Sequence, residues 1–388
     1  MSDNTREYSI VNEEVRSFLT NEILSDNFKS TVDSKVNQKR RMNKMMGGSV
    51  TWESDGVSIE GAKEQIKAVA DAGFDRVIIC VRDYYDSTEA ETRGRLKTKE
   101  HDCKWFFSQT VDELSCFIEY AKELGLSASV KIHIIDALEQ IKTDANAQEG
   151  TEPIFDADTW EKHHKRYLEK IVEANLGIEW ITDFNESGIL LSDENYTDFV
   201  KECLNILKSQ YKVGISFNKD ALDKTLALDK TNKANDSTYT GIIDTCDFIA
   251  FNTYPPVGYV NIEKAKSLTH EEMVEAIGWY GLKDYINYIN EETSKTFIIT
   301  EVGCGKWWDM YKEPEINTGY SSTNQDGHKS DAPEFSNYES TARYMDAVTD
   351  YLKDISYITE VNYWYTSTAS LGSGKIGEVV RKWKGEDL

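Results

Sequence analysis

SIEGAKEQIKAVADAGFDRVIICV, residues 58–81, decides the fold because it holds one whole α/β unit. Its first part, 58–72, spaces apolar residues at helical intervals between charged ones, and Gly73 ends the helix. The second part, 74–81, is an unbroken β-branched run, the pattern of a strand covered on both faces. Such a strand needs helices against one face and a second apolar layer against the other.

The rhythm repeats along the chain. GSVTW (48–52) reads as a strand ahead of this unit. After a long loop come a helix at 110–124, a strand at 126–135 and a helix at 156–175. A strand at 178–184, a helix at 193–210 and a strand at 211–217 follow, then a polar stretch and a strand at 247–254. A helix at 269–292, a strand at 296–301, a helix at 337–354 and a strand at 358–365 complete the series. Eight strands alternating with helices admit an open doubly wound sheet or a closed barrel. No GxGxxG or GxxxxGK[ST] follows an early strand, which removes the usual mark of a nucleotide-binding open sheet. The count of eight favours a (β/α)8 TIM barrel over 46–388. Residues 1–45, polar and weakly periodic, are expected to form a helical arm packed on it.

Bulk composition narrows the partners. The 388 residues are 39% apolar and 11% aromatic, enough for a large core, and no apolar run reaches the length of a membrane span. With 68 acidic against 44 basic residues the net charge is −24, a field that repels phosphate backbones and anionic membranes. Neither nucleic acid nor a membrane is an expected partner, and the oligomeric state is left open. The N-terminus lacks an apolar leader segment, so a cytoplasmic location is expected, or an extracellular one if a leader has been removed. Six cysteines show no CxxC pair, and Cys80 and Cys246 sit in apolar runs as small hydrophobes. No HExxH occurs among the histidines, so neither a metal nor any other cofactor is expected.

A (β/α) barrel carries its chemistry at the C-terminal ends of its strands. The exits present Trp52; Arg82 and Asp83; Lys131 and His133; Asn185 and Glu186; Asn218; Asn252 and Tyr254; Glu301; and Trp364. Glu186 and Glu301 follow the fourth and seventh strands and face the same mouth. Across a glycosidic bond one carboxyl protonates the leaving oxygen while the other attacks the anomeric carbon. In that reading Glu186 is the acid/base and Glu301 the nucleophile. Asn185 bonds a sugar hydroxyl, Tyr254 and Arg82 align Glu301, and Trp364 forms an apolar floor under the sugar. Trp307 and Trp308, after Glu301, extend that platform, and Trp52, Lys131, His133 and Asn252 line the substrate. Plainer readings stand beside these: His133 as a core histidine, Trp364 as barrel packing, Trp307-Trp308 as surface cover. Asp183, within its strand, is expected to be structural.

With these residues in place, the sequence resembles the clan A glycoside hydrolases, and most closely glycoside hydrolase family 113, the β-mannanase family. The resemblance runs over residues 47–370. KIHI (131–134) is similar to the family's third-strand Lys-x-His segment, and Glu186-Ser187-Gly188 to its acid/base segment, with Asn185 completing the clan's Asn-Glu pair. DFIAFNTYPP (247–256) resembles the sixth strand, FIITEVGC (297–304) the nucleophile segment and VNYWY (361–365) the aromatic eighth strand. The resemblance implies retaining hydrolysis of a β-linked glycan, with a β-1,4-mannan or manno-oligosaccharide as substrate. The polar arm, the missing leader and a polar insertion at 312–335 depart from a secreted mannanase. Two alternatives stay open: another β-glycan on the same carboxylates, or a non-catalytic carbohydrate-binding or assembly barrel.

Overall fold

The computed structural model describes residues 44–51, 59–85, 105–136, 161–184, 194–217, 219, 222–223, 225–227, 241–253, 255, 268–279, 281–302, 338–364, 371 and 374–385. The expected arm lies outside them up to residue 43, as does the 312–335 insertion.

Eight parallel strands close a barrel. They are β1 (Met45–Thr51), β2 (Arg76–Tyr85), β4 (Ser127–Asp136), β5 (Trp180–Asp183), β6 (Lys212–Phe217), β7 (Ile249–Asn252), β8 (Phe297–Val302) and β9 (Ile358–Tyr363). Each pairs with the next, and β1 joins both β2 and β9 to close the ring. The (β/α)8 TIM barrel expected from the alternation is the fold. A short strand missing from the sequence reading, β3 (Trp105–Phe107), adds antiparallel to the end of β2.

Helices follow the strands: α1 (Ile59–Asp71), α2 (Val111–Glu123), α3 (Arg166–Ala174) behind one π turn (Glu161–Lys165), α4 (Glu194–Lys208) and α5 (Ile242–Thr245). Then come α6 (His270–Gly278), α7 (Leu282–Thr293), α8 (Tyr338–Lys353) and α9 (Lys375–Lys384). The single helix expected at 269–292 is thus two, because Gly281 takes a left-handed conformation, φ 73°, that breaks the helical ladder. Helix α9 had no counterpart in the sequence reading. Thr110 and Thr269 open α2 and α6 with full capping boxes, each side chain accepting from the backbone N–H of a glutamate that bonds back.

Strand alternation sorts side chains into two apolar regions. Outward residues such as Val77, Ile79, Val81, Ile181, Val213 and Ile249 pack against the helices in one continuous core. Inward residues Ile78, Trp180, Phe248, Ala250 and Ile298 form a separate plug inside the barrel. Space there is tight: a Cβ on Gly214 would lie 2.6 Å from the Phe248 ring and 2.9 Å from its carbonyl oxygen, so only glycine fits.

Beneath the plug, at the barrel's N-terminal end, Arg76 pairs with Glu360. Ser127 Oγ accepts from Arg76 Nε at 2.9 Å, and Trp180 Nε1 donates to Glu360 Oε2 at 3.1 Å. Burial pushes the Glu360 carboxyl up, against the pull of Arg76. Removing one partner leaves the other as a stranded charge. Arg76→Met is therefore expected to lower unfolding stability by about 3–5 kcal/mol, while Arg76→Met with Glu360→Leu regains most of it. Urea denaturation of both variants checks this; a silent single substitution contradicts it.

Candidate active site

Above the plug the inward side chains turn polar. Lys131, on β4, is fully buried and forms an ion pair with Glu301 on β8. Its ammonium also lies 3.4 Å from Asn252 Oδ1 and 5.0 Å from the centre of the Trp364 ring, a cation–π arrangement. Asn252 Oδ1 accepts further hydrogen bonds from Ser216 Oγ (2.9 Å) and Thr300 Oγ1 (2.8 Å). Four strands, β4, β7, β8 and the end of β9, thus converge on one ammonium.

Glu301 reaches this layer through a break in strand alternation. Phe297, Ile299 and Val302 of β8 face the helices while Ile298 faces the barrel, so two residues, Thr300 and Glu301, stand where simple alternation allows one. The register shifts at the same point: Asn252 of β7 pairs with Glu301, and the β8–β9 pairing slips between Ile299 and Val302. A bulge re-aims a side chain, and here it brings both Thr300 and Glu301 to Asn252 or its neighbours.

His133 follows Lys131 by two residues and shares its face. Burial, together with the charges of Lys131 and Arg82, lowers its pKa to about 3 against the opposing pull of Glu301. It is a neutral ring at ordinary pH, able to donate from one nitrogen and accept at the other. Arg82, itself buried on β2, also acts on the Cys80 thiol, which burial raises to about 11.

Of the residues expected at the site, the structure brings together Arg82, Lys131, His133, Asn252, Glu301 and Trp364. The expected acid/base Glu186 lies outside the described residues, as do Trp52, Asn185, Asn218, Tyr254, Trp307 and Trp308. Lys131, expected to line the substrate, is also the ion-pair partner of Glu301.

A second buried cluster, on the outward side of the same strand ends, escaped the sequence reading. His164, in the π turn before α3, sits between two carboxylates: Nδ1 is 2.6 Å from Asp83 Oδ2 and Nε2 is 2.8 Å from Asp183 Oδ2. All three are fully buried. Burial disfavours the imidazolium, but the two aspartates outweigh it and push the ring up to about 10. Asp183 Oδ1 accepts from the Phe184 N–H at 2.8 Å. Strict alternation from inward-facing Trp180 does turn Asp183 toward the helices, so a buried carboxylate was legible there; its cation, on another element, was not.

Elsewhere, His270, Asp346 and Asp350 lie close enough to share an ion, the one such group among the described residues. Their carboxylates already receive hydrogen bonds from Lys382, Lys353 and His270, so the group is an ion-pair cluster between α6, α8 and α9.

The two histidines make an opposed pair. In histidine-labelled protein followed by NMR, His133 is expected to stay neutral down to about pH 5 and His164 charged up to about pH 8. Ordinary midpoints near the usual ~6.5 for either ring contradict its assigned surroundings.

Comparison by sequence finds no match, to a protein-family model or to a curated protein. Comparison by structure finds barrel hydrolases. The complex structure of a GH113 beta-1,4-mannanase superposes with a TM-score of 0.58 at 15% identity, over 89% of this chain and all of that one (100%). A second GH113 beta-1,4-mannanase gives 0.52 at 16% identity, covering 89% of this chain and 99% of that one. The GH113 beta-mannanase of Alicyclobacillus acidocaldarius in complex with ManMIm gives 0.52 at 15%, covering 88% and 97%. At these identities the likeness is one of fold.

Proposed function

We propose that the protein is a retaining glycoside hydrolase that cleaves β-1,4-linked mannan or manno-oligosaccharides, with Glu301 as nucleophile and Glu186 as acid/base. The observation that carries this reading is the placement of Glu301: a buried carboxylate, aimed by a bulge at the C-terminal end of β8, ion-paired to Lys131 beside Trp364. The likeness of fold to mannanases supports the choice of sugar.

In the first step a carboxylate oxygen of Glu301 bonds to the anomeric carbon as the glycosidic C–O bond breaks. Glu186 passes its proton to the departing oxygen. In the second step Glu186, now ionised, takes a proton from water as the water oxygen bonds to that carbon and the ester to Glu301 breaks. Two inversions leave the configuration unchanged.

Lys131 has a part in both steps. While Glu301 is a free carboxylate, the ammonium balances its charge; once the ester forms, that charge is gone. Lys131 then keeps Asn252 Oδ1 and the Trp364 face as partners, so the cation is not stranded when the covalent intermediate forms. Trp364 offers an apolar face for the C–H side of a sugar ring. His133, uncharged, suits a neutral hydroxyl better than an anion.

Glu301→Ala is expected to reduce hydrolysis of mannohexaose at least about a thousandfold. Glu186→Ala should be inactive on that substrate but regain turnover of an activated aryl β-mannoside in azide, releasing a β-mannosyl azide. Product analysis by chromatography and NMR checks both. Near-normal hydrolysis by Glu301→Ala, or an α-configured azide, removes these residues from their roles.

A further inference from the structure

The imidazolium of His164 has no place in the chemistry above, yet it ties together the ends of two strands that bear site residues. Asp83 follows Arg82 directly in β2. Asp183 is the last residue of β5, and the chain continues through Phe184 to Asn185 and Glu186. We propose that His164, by gripping Asp183, positions the acid/base: Asp183 in turn holds Phe184 in the backbone conformation from which Asn185 and Glu186 depart. This rests on Glu186 being the acid/base.

Three observations carry the link. Phe184 has φ 53°, a left-handed conformation that a bulky residue seldom adopts and that needs outside support. That support is the hydrogen bond from its N–H to Asp183 Oδ1, while Asp183 Oδ2 bonds His164 Nε2. His164 also holds the side chain: the two rings lie 5.0 Å apart, and Phe199 of α4 closes against both at 6.3 Å. One imidazolium therefore fixes the carboxylate that fixes the backbone, and packs the ring on that same residue.

The surroundings make the grip rigid. Tyr167, one turn along, donates its hydroxyl to the Gln109 carbonyl at 2.9 Å. Tyr167 lies within the field of Asp83 and the Cys203 thiol within that of Asp183, and burial raises the pKa of both well above normal, so each stays neutral beside its aspartate. The π turn that carries His164 is the kind of over-wide winding that moves a side chain out of simple helical register, and such turns gather at functional sites.

Replacing His164 leaves two carboxylates facing one another in the interior, so the discriminating variant is Asp183→Ala, which leaves the imidazolium balanced by Asp83. The conservative partner is Asp183→Asn, whose side-chain carbonyl can still accept from the Phe184 N–H. Each is assayed by kcat/KM on aryl β-mannobiosides bearing 2,4-dinitrophenol or unsubstituted phenol. The first leaving group departs with little protonation; the second needs the acid. A misplaced acid should cost Asp183→Ala about tenfold or more on the phenyl substrate and under about threefold on the dinitrophenyl one, with Asp183→Asn returning to the wild-type ratio. A purely structural part lowers both rates together, and equal losses on the two substrates overturn the proposal. Glu186→Ala run alongside separates the causes. If it raises leaving-group sensitivity while Asp183→Ala does not, the positioning role fails alone; if it raises none, the acid/base assignment fails and this inference with it.

Discussion

A carboxylate buried in a protein interior requires a cation within reach, and the architecture of this molecule follows from meeting that requirement three times. Transferring an unpaired charge into such an interior costs several kcal/mol, so each buried acid fixes the position of its partner. Glu360 has Arg76 at the barrel's N-terminal end, Glu301 has Lys131 near its C-terminal end, and Asp83 with Asp183 share His164 behind the strand ends. Every one of these contacts joins different strands, or a strand to a helix. Together they set the relative height of β2, β4, β5, β8 and β9.

Their inequality gives the barrel its polarity. The lower pair is closed off by the apolar plug of Ile78, Trp180, Phe248, Ala250 and Ile298, and its further contacts, from Trp180 and Ser127, are fixed ones. The upper pair sits among groups that can exchange partners: the Asn252 amide, two hydroxyls, a neutral imidazole and an aromatic face. A lower ion pair suits a permanent strut. An upper one whose cation has alternative partners suits the proposed nucleophile, whose charge is lost and regained in each turnover.

The barrel itself was legible from alternation and from the doubly covered run at 74–81, because period and burial are local properties of a sequence. The position of Glu301 at the C-terminal end of its strand was legible, since strand exits follow from the fold. Its partner was less so: Lys131 stood among the expected residues, but the ion pair spans 170 positions and depends on the bulge at Thr300–Glu301, which no local pattern announces. His164 was harder still. It is the second of two adjacent histidines in an amphipathic segment, and the π turn shifts which side chain faces inward. Strand β3 is too short to have a period, and the break between α6 and α7 was signalled only by the glycines of Gly278-Trp279-Tyr280-Gly281.

The most direct measurement of the central claim, attack by Glu301, is covalent trapping. A 2-deoxy-2-fluoro-β-mannosyl fluoride slows both steps, and the second more, so a retaining enzyme accumulates its glycosyl ester. Peptide mass spectrometry of the inactivated protein should find one fluoromannosyl group, on the peptide that contains Glu301 and on that side chain. A label on any other carboxylate, or full activity after prolonged exposure at saturating inhibitor, would contradict double displacement through this residue.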